Sequence, residues 1–125
     1  MKLPAQTMLH AQDLDATIAW YRDVLGFSLS ATWPDTDPTW CAIDYGPATL
    51  MFTNNPADGS HESHMSGELC FYPDDIDRYY DEVTARGAQA IQPPADQVFG
   101  MRTFLLTDPN GYTLMFAQGL DELDR

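Results

Sequence analysis

Apolar residues recur every three or four positions in two stretches of the chain, which predicts two helices. In residues 14–25 one helical face carries Leu14, Ile18, Tyr21 and Leu25. In residues 75–86 the shared apolar positions are Ile76, Tyr80 and Val83. Asp13 stands where an N-cap belongs, and a glycine ends each pattern, Gly26 and Gly87. The first helix therefore has a sequence signal at both ends, and the second has one at its C-terminal end.

Most of the remaining chain consists of short runs with strand character, separated by Gly and Pro. The predicted strands are residues 7–11, 27–33, 39–45, 48–53, 68–72, 88–92, 101–107 and 112–118. The segment Asp108-Pro109-Asn110-Gly111 predicts a tight turn, with Pro in second and Gly in fourth place. The order of elements is strand, helix and three strands, twice.

Short sequence matches support this duplication. Thr49-Leu50-Met51-Phe52 recurs 64 residues later as Thr113-Leu114-Met115-Phe116. Asp13-Leu14-Asp15 is echoed 62 residues later by Asp75-Ile76-Asp77. We therefore predict an α+β fold in which one domain, residues 1–125, is made of two βαβββ repeats. The repeats cover about residues 1–53 and 68–118, with a linker over about 54–67.

The net charge narrows the classes of partner. Nineteen acidic residues against six Lys and Arg give −13 over 125 residues. This charge argues against nucleic acids and anionic membranes, and it is compatible with a cationic ligand. No apolar run approaches the roughly 20 residues of a membrane span, and residues 1–6 lack a secretory pattern. We expect a cytoplasmic protein with two reduced thiols, Cys41 and Cys70.

Three segments carry a family resemblance. They are the first strand Gln6-Thr7-Met8-Leu9, the helix end Trp20-Tyr21-Arg22-Asp23-Val24-Leu25-Gly26-Phe27, and residues 99–104 leading into Asp108-Pro109-Asn110-Gly111. With the duplicated βαβββ order, the chain resembles the vicinal oxygen chelate superfamily of glyoxalase I, extradiol dioxygenases and bleomycin-resistance proteins. It is most similar to the bleomycin-resistance branch. The resemblance implies a curled mixed sheet around a cleft, helices on the outer face, and a homodimer, for which the linker leaves room to exchange elements.

Strand alternation separates two faces that fit this picture. One set is uniformly apolar, as a helix-covered face should be: Leu9, Leu50, Phe52, Leu69, Phe71, Leu114 and Phe116. The other set mixes polar groups, sulfur and an aromatic ring: Gln6, Met8, His10, Thr49, Met51, Glu68, Cys70, Tyr72, Thr113 and Met115. The mixed set is a candidate cleft lining, although a solvated face or a core face rich in Met would give the same pattern.

Metal-dependent members of the family hold a divalent ion with one side chain from the first and one from the last strand of each repeat. The resemblance places those ligands at Gln6, Met51, Glu68 and Met115. Gln and Glu offer oxygen to a hard cation, but two thioethers do not complete such a site. We therefore expect no metal and no cofactor, which argues against an enzyme.

Four other assignments stay open. Sulfur from Met51, Met115 and Cys70 suits Cu(I). His10 and Glu68 are a second candidate pair of metal ligands. His61 and His64, three residues apart in the linker, are a third, although solvent-exposed loop histidines give the same pattern. Glu68 becomes a proton-transfer group for a metal-free isomerase or lyase if it is buried.

These patterns predict a metal-free protein that binds and sequesters a cationic or aromatic small molecule, such as a bleomycin-type antibiotic. The predicted lining of the cleft is Gln6, Met8, His10, Trp33, Trp40, Asp44, Met51, Glu68, Cys70, Tyr72, Phe99, Arg102 and Met115. Trp33, Trp40 and Phe99 would stack on a planar ligand, and Asp44 and Glu68 would pair with its ammonium groups. The alternative is a lyase, isomerase or dioxygenase of the glyoxalase type.

Overall fold

The order strand, helix and three strands occurs twice in the computed structural model, which describes residues 5–54 and 67–123. The chain divides into two compact units, Met1–His64 and Met65–Arg125. The first contains β1 Thr7–His10, α1 Leu14–Asp23, β2 Ser28–Trp33, β3 Trp40–Tyr45 and β4 Ala48–Thr53. The second contains β5 Glu68–Phe71, α2 Ile76–Ala85, β6 Ala90–Asp96, β7 Met101–Thr107 and β8 Thr113–Gly119, followed by a short 3₁₀ helix, Leu120–Glu122.

Each unit forms one mixed four-stranded sheet with the same topology. The strand order is β1-β4-β3-β2 in the first sheet and β5-β8-β7-β6 in the second. The first strand of each unit pairs in parallel with the last, and the other pairs are antiparallel. The predicted α+β class and the tandem βαβββ order are therefore confirmed.

The core of the first unit lies between α1 and one face of its sheet. The predicted helix face is buried, with Leu14, Ile18, Tyr21 and Leu25 at most 7% exposed. The Tyr21 ring packs 5.1 Å from Phe52 and 5.5 Å from Phe27, measured between ring centres. Full burial of a large side chain contributes about 1.5–3 kcal/mol, so this aromatic cluster is a main source of stability.

The second unit repeats this core with different rings. Phe104 and Phe116 stack with centres 4.9 Å apart, and both are fully buried. Tyr79 packs against Phe116 and Tyr80 against Phe104, so α2 covers the same face as α1 does in its own unit. The uniformly apolar set of alternate strand positions thus lies under the helices, as predicted.

Helix α1 begins directly after the predicted cap Asp13 and ends at Asp23, two residues before the predicted end, whereas α2 begins after Asp75, which the prediction included in the helix. Asp13 accepts a hydrogen bond from the Ala16 N–H at 3.0 Å, and Asp75 accepts one from Arg78 at 3.2 Å. Gly26 and Gly87 follow with φ of 77° and 106°, a region in which glycine lacks the penalty of a side chain. The sequence repeat is therefore a repeat of capping chemistry as well as of apolar pattern.

Strand β6 differs from the prediction. It spans Ala90–Asp96, whereas residues 88–92 were predicted, because Pro93 and Pro94 indicate a strand end. The strand lies at the sheet edge and pairs only with β7. Proline has no backbone N–H, but no strand lies on the other side of β6, so no hydrogen bonds to a second neighbouring strand are lost. Register shifts on both sides of Gln92 absorb the irregularity.

Two polar residues fix the connections of the second unit. The buried Asp108 carboxylate accepts hydrogen bonds from the N–H groups of Asn110 at 2.9 Å and Tyr112 at 2.8 Å, which closes the predicted turn. The Gln118 side chain accepts from the Ile76 N–H at 2.9 Å and donates to the Asp74 carbonyl at 2.6 Å. It thereby ties the start of α2 to β8.

Some predictions fall outside these observations. Most of the predicted linker, including His61 and His64, lies outside the described residues. The union of both repeats into one domain stays a prediction. Within residues 5–54 and 67–123, no helix is long and apolar enough to cross a membrane.

Candidate functional site

In each unit, one sheet face lies opposite the helix, and we call it the open face. On the first sheet its residues form three rows that run across the strands, as the strand register defines them. The first row is His10, Thr53, Trp40 and Trp33, the second is Met8, Met51, Ala42 and Ala31, and the third contains Thr49, Asp44 and Ser28. Six predicted site residues therefore share this face.

The tryptophan row ends the hairpin of β2 and β3. Trp33 and Trp40 are directly opposite each other in register, and Trp33 is 67% exposed. The Thr39 N–H donates to the Trp33 carbonyl at 2.9 Å and closes the hairpin. The Thr53 hydroxyl and the Asn54 N–H both donate to the Thr39 carbonyl at 3.1 Å. These bonds fix a two-ring aromatic surface at one end of the sheet.

A carboxylate occupies the other end of the same face. Asp44 is opposite Thr49 in register, and the Thr49 hydroxyl donates to its Oδ1 at 2.8 Å. An ionised carboxylate can accept about four hydrogen bonds, so the bond from Thr49 orients Asp44 and leaves other acceptor positions for a ligand. Asp44 is partly exposed and can accept a donor from a ligand.

Sulfur occupies the middle of this face. Met8 is 57% exposed and is the register neighbour of Met51 in the parallel pair β1–β4. The second sheet repeats the arrangement, with Cys70 opposite Met115 in the pair β5–β8. Methionine thioethers are polarisable and adapt to the shape of an apolar ligand, so Met8 and Met51 make the first open face pliable, and Met115 does so on the second.

The open face of the second sheet also carries Glu68 and Tyr72. Glu68 is exposed, so the burial that the proton-transfer hypothesis requires is not met. Tyr72 is 66% exposed. A hydrogen bond with Cys70 is the main cause that raises the pKa of the Tyr72 phenol, and the negative charge of the Cys70 thiolate raises this pKa further. Tyr72 also lines a groove of about 670 Å³. The other lining residues are Pro73, Asp74, Met101, Gln118, Gly119 and Glu122.

Two predicted site residues lie elsewhere. Arg102 is on the helix-covered side of β7, where its guanidinium donates to Asp77 of α2 at 2.9 Å and to Asp96 at 3.0 Å. Hydrogen bonds to Asp77 and Asp96 raise the pKa of Arg102. The guanidinium thereby connects α2 to the β6–β7 hairpin. Phe99 is 62% exposed in the turn of that hairpin and is not part of a strand face. We therefore leave Arg102 out of the candidate site.

The four positions that the resemblance assigns to metal ligands carry two oxygen donors and two thioethers. Gln6 and Met51 lie on the first unit, and Glu68 and Met115 on the second. Each unit thus supplies one oxygen donor and one neutral thioether, a set that does not fit a hard divalent cation. Among residues 5–54 and 67–123, no three His, Cys, Asp or Glu side chains are grouped so as to hold a metal ion. The Cu(I) and His10–Glu68 assignments each join residues of different units and stay predictions.

The arrangement of the open face in rows could not be predicted from the sequence. The alternation of strands assigns a face, but it does not say which residues of neighbouring strands are side by side. Ala31, Ala42 and Thr53 complete the rows and were not selected, because small or β-branched strand residues carry no distinctive signal. The groove beside Tyr72 was also missed, since it requires the 3₁₀ helix that follows β8.

Comparisons with known proteins agree with the duplicated fold. Residues 4–116 match the model of the Glyoxalase/Bleomycin resistance protein/Dioxygenase superfamily. A protein of Synechocystis sp. described as a probable lactoylglutathione lyase is 24% identical over 126 residues, covering 94% of this chain and 96% of that protein.

Two solved structures show the same fold. TioX from Micromonospora sp. ML1 has a TM-score of 0.77 and 24% identity, covering 94% of this chain and 100% of its own. Lactoylglutathione lyase from Agrobacterium tumefaciens has a TM-score of 0.75 and 23% identity, with 96% of each chain covered. At this level of identity the structural likeness establishes architecture alone.

Proposed function

Because the chain belongs to the Glyoxalase/Bleomycin resistance protein/Dioxygenase superfamily, we propose that it binds a small molecule without the help of a metal. The ligand contains a planar ring system and a positive charge, and the protein acts by sequestering it. The observation that carries this proposal is the Trp33–Trp40 pair on the same open face as Met8 and Met51.

The aromatic pair supplies the larger share of affinity. Each aromatic side chain brings 150–250 Å² of surface, and stacking contributes roughly 0.5–1.5 kcal/mol beyond burial. A cation over a Trp ring gains about 0.5–2 kcal/mol more. An exposed Trp ring is available for both contacts, and Trp33 is two-thirds exposed.

Electrostatics favour a cation. The chain carries −13, and three of its arginines, Arg22, Arg78 and Arg102, are already paired with carboxylates of the protein. The excess of acidic side chains creates a negative potential that raises the local concentration of cations. A cationic ligand is therefore attracted over a longer range than a neutral one.

Titration of tryptophan fluorescence with bleomycin-type and other cationic aromatic compounds at low salt tests this proposal. We expect saturable quenching by at least one of them, weakened about tenfold or more in Trp33→Ala and Trp40→Ala. Trp20→Phe is the matched control, because this residue lies on α1 and should leave the affinity unchanged. Absence of saturable quenching by every compound would refute the proposal.

We include a homodimer in the proposal, with each binding site completed by both chains. Both sheets have open edges and one face without a helix, which favours association. Light scattering should give twice the chain mass of 14.0 kDa. A monomer mass across micromolar concentrations would remove this part of the proposal and leave the first unit's aromatic row intact.

A lyase of the glyoxalase type is the second candidate, favoured by the relative described as a probable lactoylglutathione lyase. The thioethers at Met51 and Met115 weigh against it, because they do not fit the metal on which that chemistry relies. Lactoylglutathione turnover with added Ni²⁺ or Zn²⁺ decides between the two. Micromolar metal affinity that is lost in Glu68→Ala, together with turnover, would favour the enzyme.

A double substitution at the two methionines tests the same assignment of metal-ligand positions. Met51→Glu combined with Met115→Glu restores oxygen ligands at both places, so we expect it to create affinity for divalent ions that the wild type lacks. The matched control is Met51→Leu with Met115→Leu, which keeps the volume and supplies no donor. If the wild type and the glutamate variant bind Ni²⁺ equally well, the assignment of these positions is wrong.

A further inference from the structure

We infer that the ligand is elongated, with its planar ring at the tryptophan row and its cationic group at Asp44, about 13 Å away. This inference rests on the proposed function and specifies the ligand's shape and polarity. The juxtaposition that carries it is the order of three rows on one open face: aromatic, small and apolar, then acidic.

The distance follows from strand geometry. Trp40 and Asp44 lie on the same face of β3 and are separated by four residues. Each residue of a strand advances about 3.3 Å, which gives ~13 Å between the two positions. Since both belong to one strand of six residues in a paired sheet, the separation is fixed by the fold and does not depend on a loop.

The row between them consists of small or unbranched apolar side chains. Ala31 and Ala42 are opposite each other and each carries only a methyl group, which projects little above the sheet; Ala31 is exposed and Ala42 is 7% exposed. Met51 flanks Ala42 on the β4 side and Met8 lies beyond it. Such a surface accepts a narrow aliphatic connector more readily than a polar or branched one.

The acidic end discriminates between kinds of head group. Thr49 donates to Asp44 Oδ1 and thereby fixes the carboxylate on this face. A protonated amine forms a charge-assisted hydrogen bond to such a carboxylate, which is about twice as strong as a neutral one. A hydroxyl of the same reach gains less, and a carboxylate is repelled.

Calorimetric titration with naphthylalkylamines of graded chain length tests this inference. The series spans ring-to-amine distances of about 5 to about 18 Å, on both sides of the ~13 Å separation. We expect an affinity maximum in the middle of the series, at least several-fold above either end. Asp44→Asn should abolish the maximum and weaken the best amine about tenfold, whereas the alcohol of equal length is unaffected.

Asp81→Asn is the matched control, because it removes the same charge from the exposed surface of α2 in the other unit. It should preserve both the maximum and the affinity. Binding that is equal for all chain lengths, or equal in Asp44→Asn and the wild type, overturns this inference while the proposed function stands. Binding of none of the amines, together with none of the cationic drugs, overturns both.

Discussion

Cys41 and Cys70 show how one residue type takes different chemistry from its position in a sheet. Cys41 is fully buried on the helix-covered side of β3, and Cys70 is half-buried on the open face of β5. Burial raises the pKa of the Cys41 thiol from 9.0 to about 11. Cys41 is therefore a packing residue, and Cys70 is the thiol that a ligand can approach.

This difference predicts how stability depends on pH. Because burial favours the neutral thiol, the folded state holds the Cys41 proton to higher pH than the unfolded state does. The contribution of Cys41 is complete below pH 9.0 and is lost as pH rises through about 11. The free energy of unfolding of the wild type should fall by roughly 2–3 kcal/mol more than that of Cys41→Val between these limits.

Chemical denaturation at several pH values measures this loss. Ile43→Val is the control and should show the pH dependence of the wild type, because it alters the same buried face of β3 without removing a titratable group. Parallel curves for the wild type and Cys41→Val would show that the buried thiol does not titrate as argued.

At the scale of elements, the sequence predicted best where the chemistry is local. Asp13 and the glycines that follow each helix are short-range signals, and the observed helix ends lie within three residues of them. Strand β6 was predicted less well, because the tolerance for Pro93 and Pro94 depends on its place at the sheet edge. A strand's neighbours are a property of the whole sheet, so they cannot be read from the strand itself.

The turn between β7 and β8 gives the clearest prediction at this scale. Asp108→Ala removes the acceptor of two N–H groups, those of Asn110 and Tyr112, the second of which is buried. Leaving such donors without a partner costs roughly 1–3 kcal/mol in the free energy of unfolding. Asp121→Ala, an exposed carboxylate in the 3₁₀ helix, should change it by less than about 0.5 kcal/mol. Equal effects of the two substitutions in urea denaturation would contradict the role of Asp108.

At the scale of the whole molecule, the site was only partly predictable. Met51 was predicted from strand alternation, and Trp33, Trp40 and Asp44 were predicted as aromatic or acidic residues of the expected cleft; all four share one open face. Arg102 was also predicted for the cleft, yet it lies among Asp77 and Asp96 on the other side of its sheet. Its partners are up to 25 residues away in sequence, and such long-range pairs leave no local pattern.

Net charge gives a prediction for the molecule as a whole. A charge of −13 repels itself in the folded state and attracts cations. Raising NaCl from about 20 mM to about 300 mM screens both effects, since the Debye length shrinks to a few ångströms. The melting temperature should rise while affinity for a naphthylalkylamine falls several-fold, and the matched alcohol should bind equally at both concentrations. Weaker binding of the alcohol in step with the amine would mean that long-range charge is not responsible.

Metal-free binding is the core of the proposed function, because thioethers occupy two of the four positions that the family resemblance assigns to metal ligands. Its most direct test is the affinity for the best cationic aromatic compound, measured by calorimetry on one sample with excess EDTA and on another with excess Zn²⁺. Donor chemistry at Met51 and Met115 predicts the same affinity and about one ligand per site in both samples. An affinity that disappears with EDTA and returns with Zn²⁺ would contradict the claim and make the protein a metal-dependent member of its superfamily.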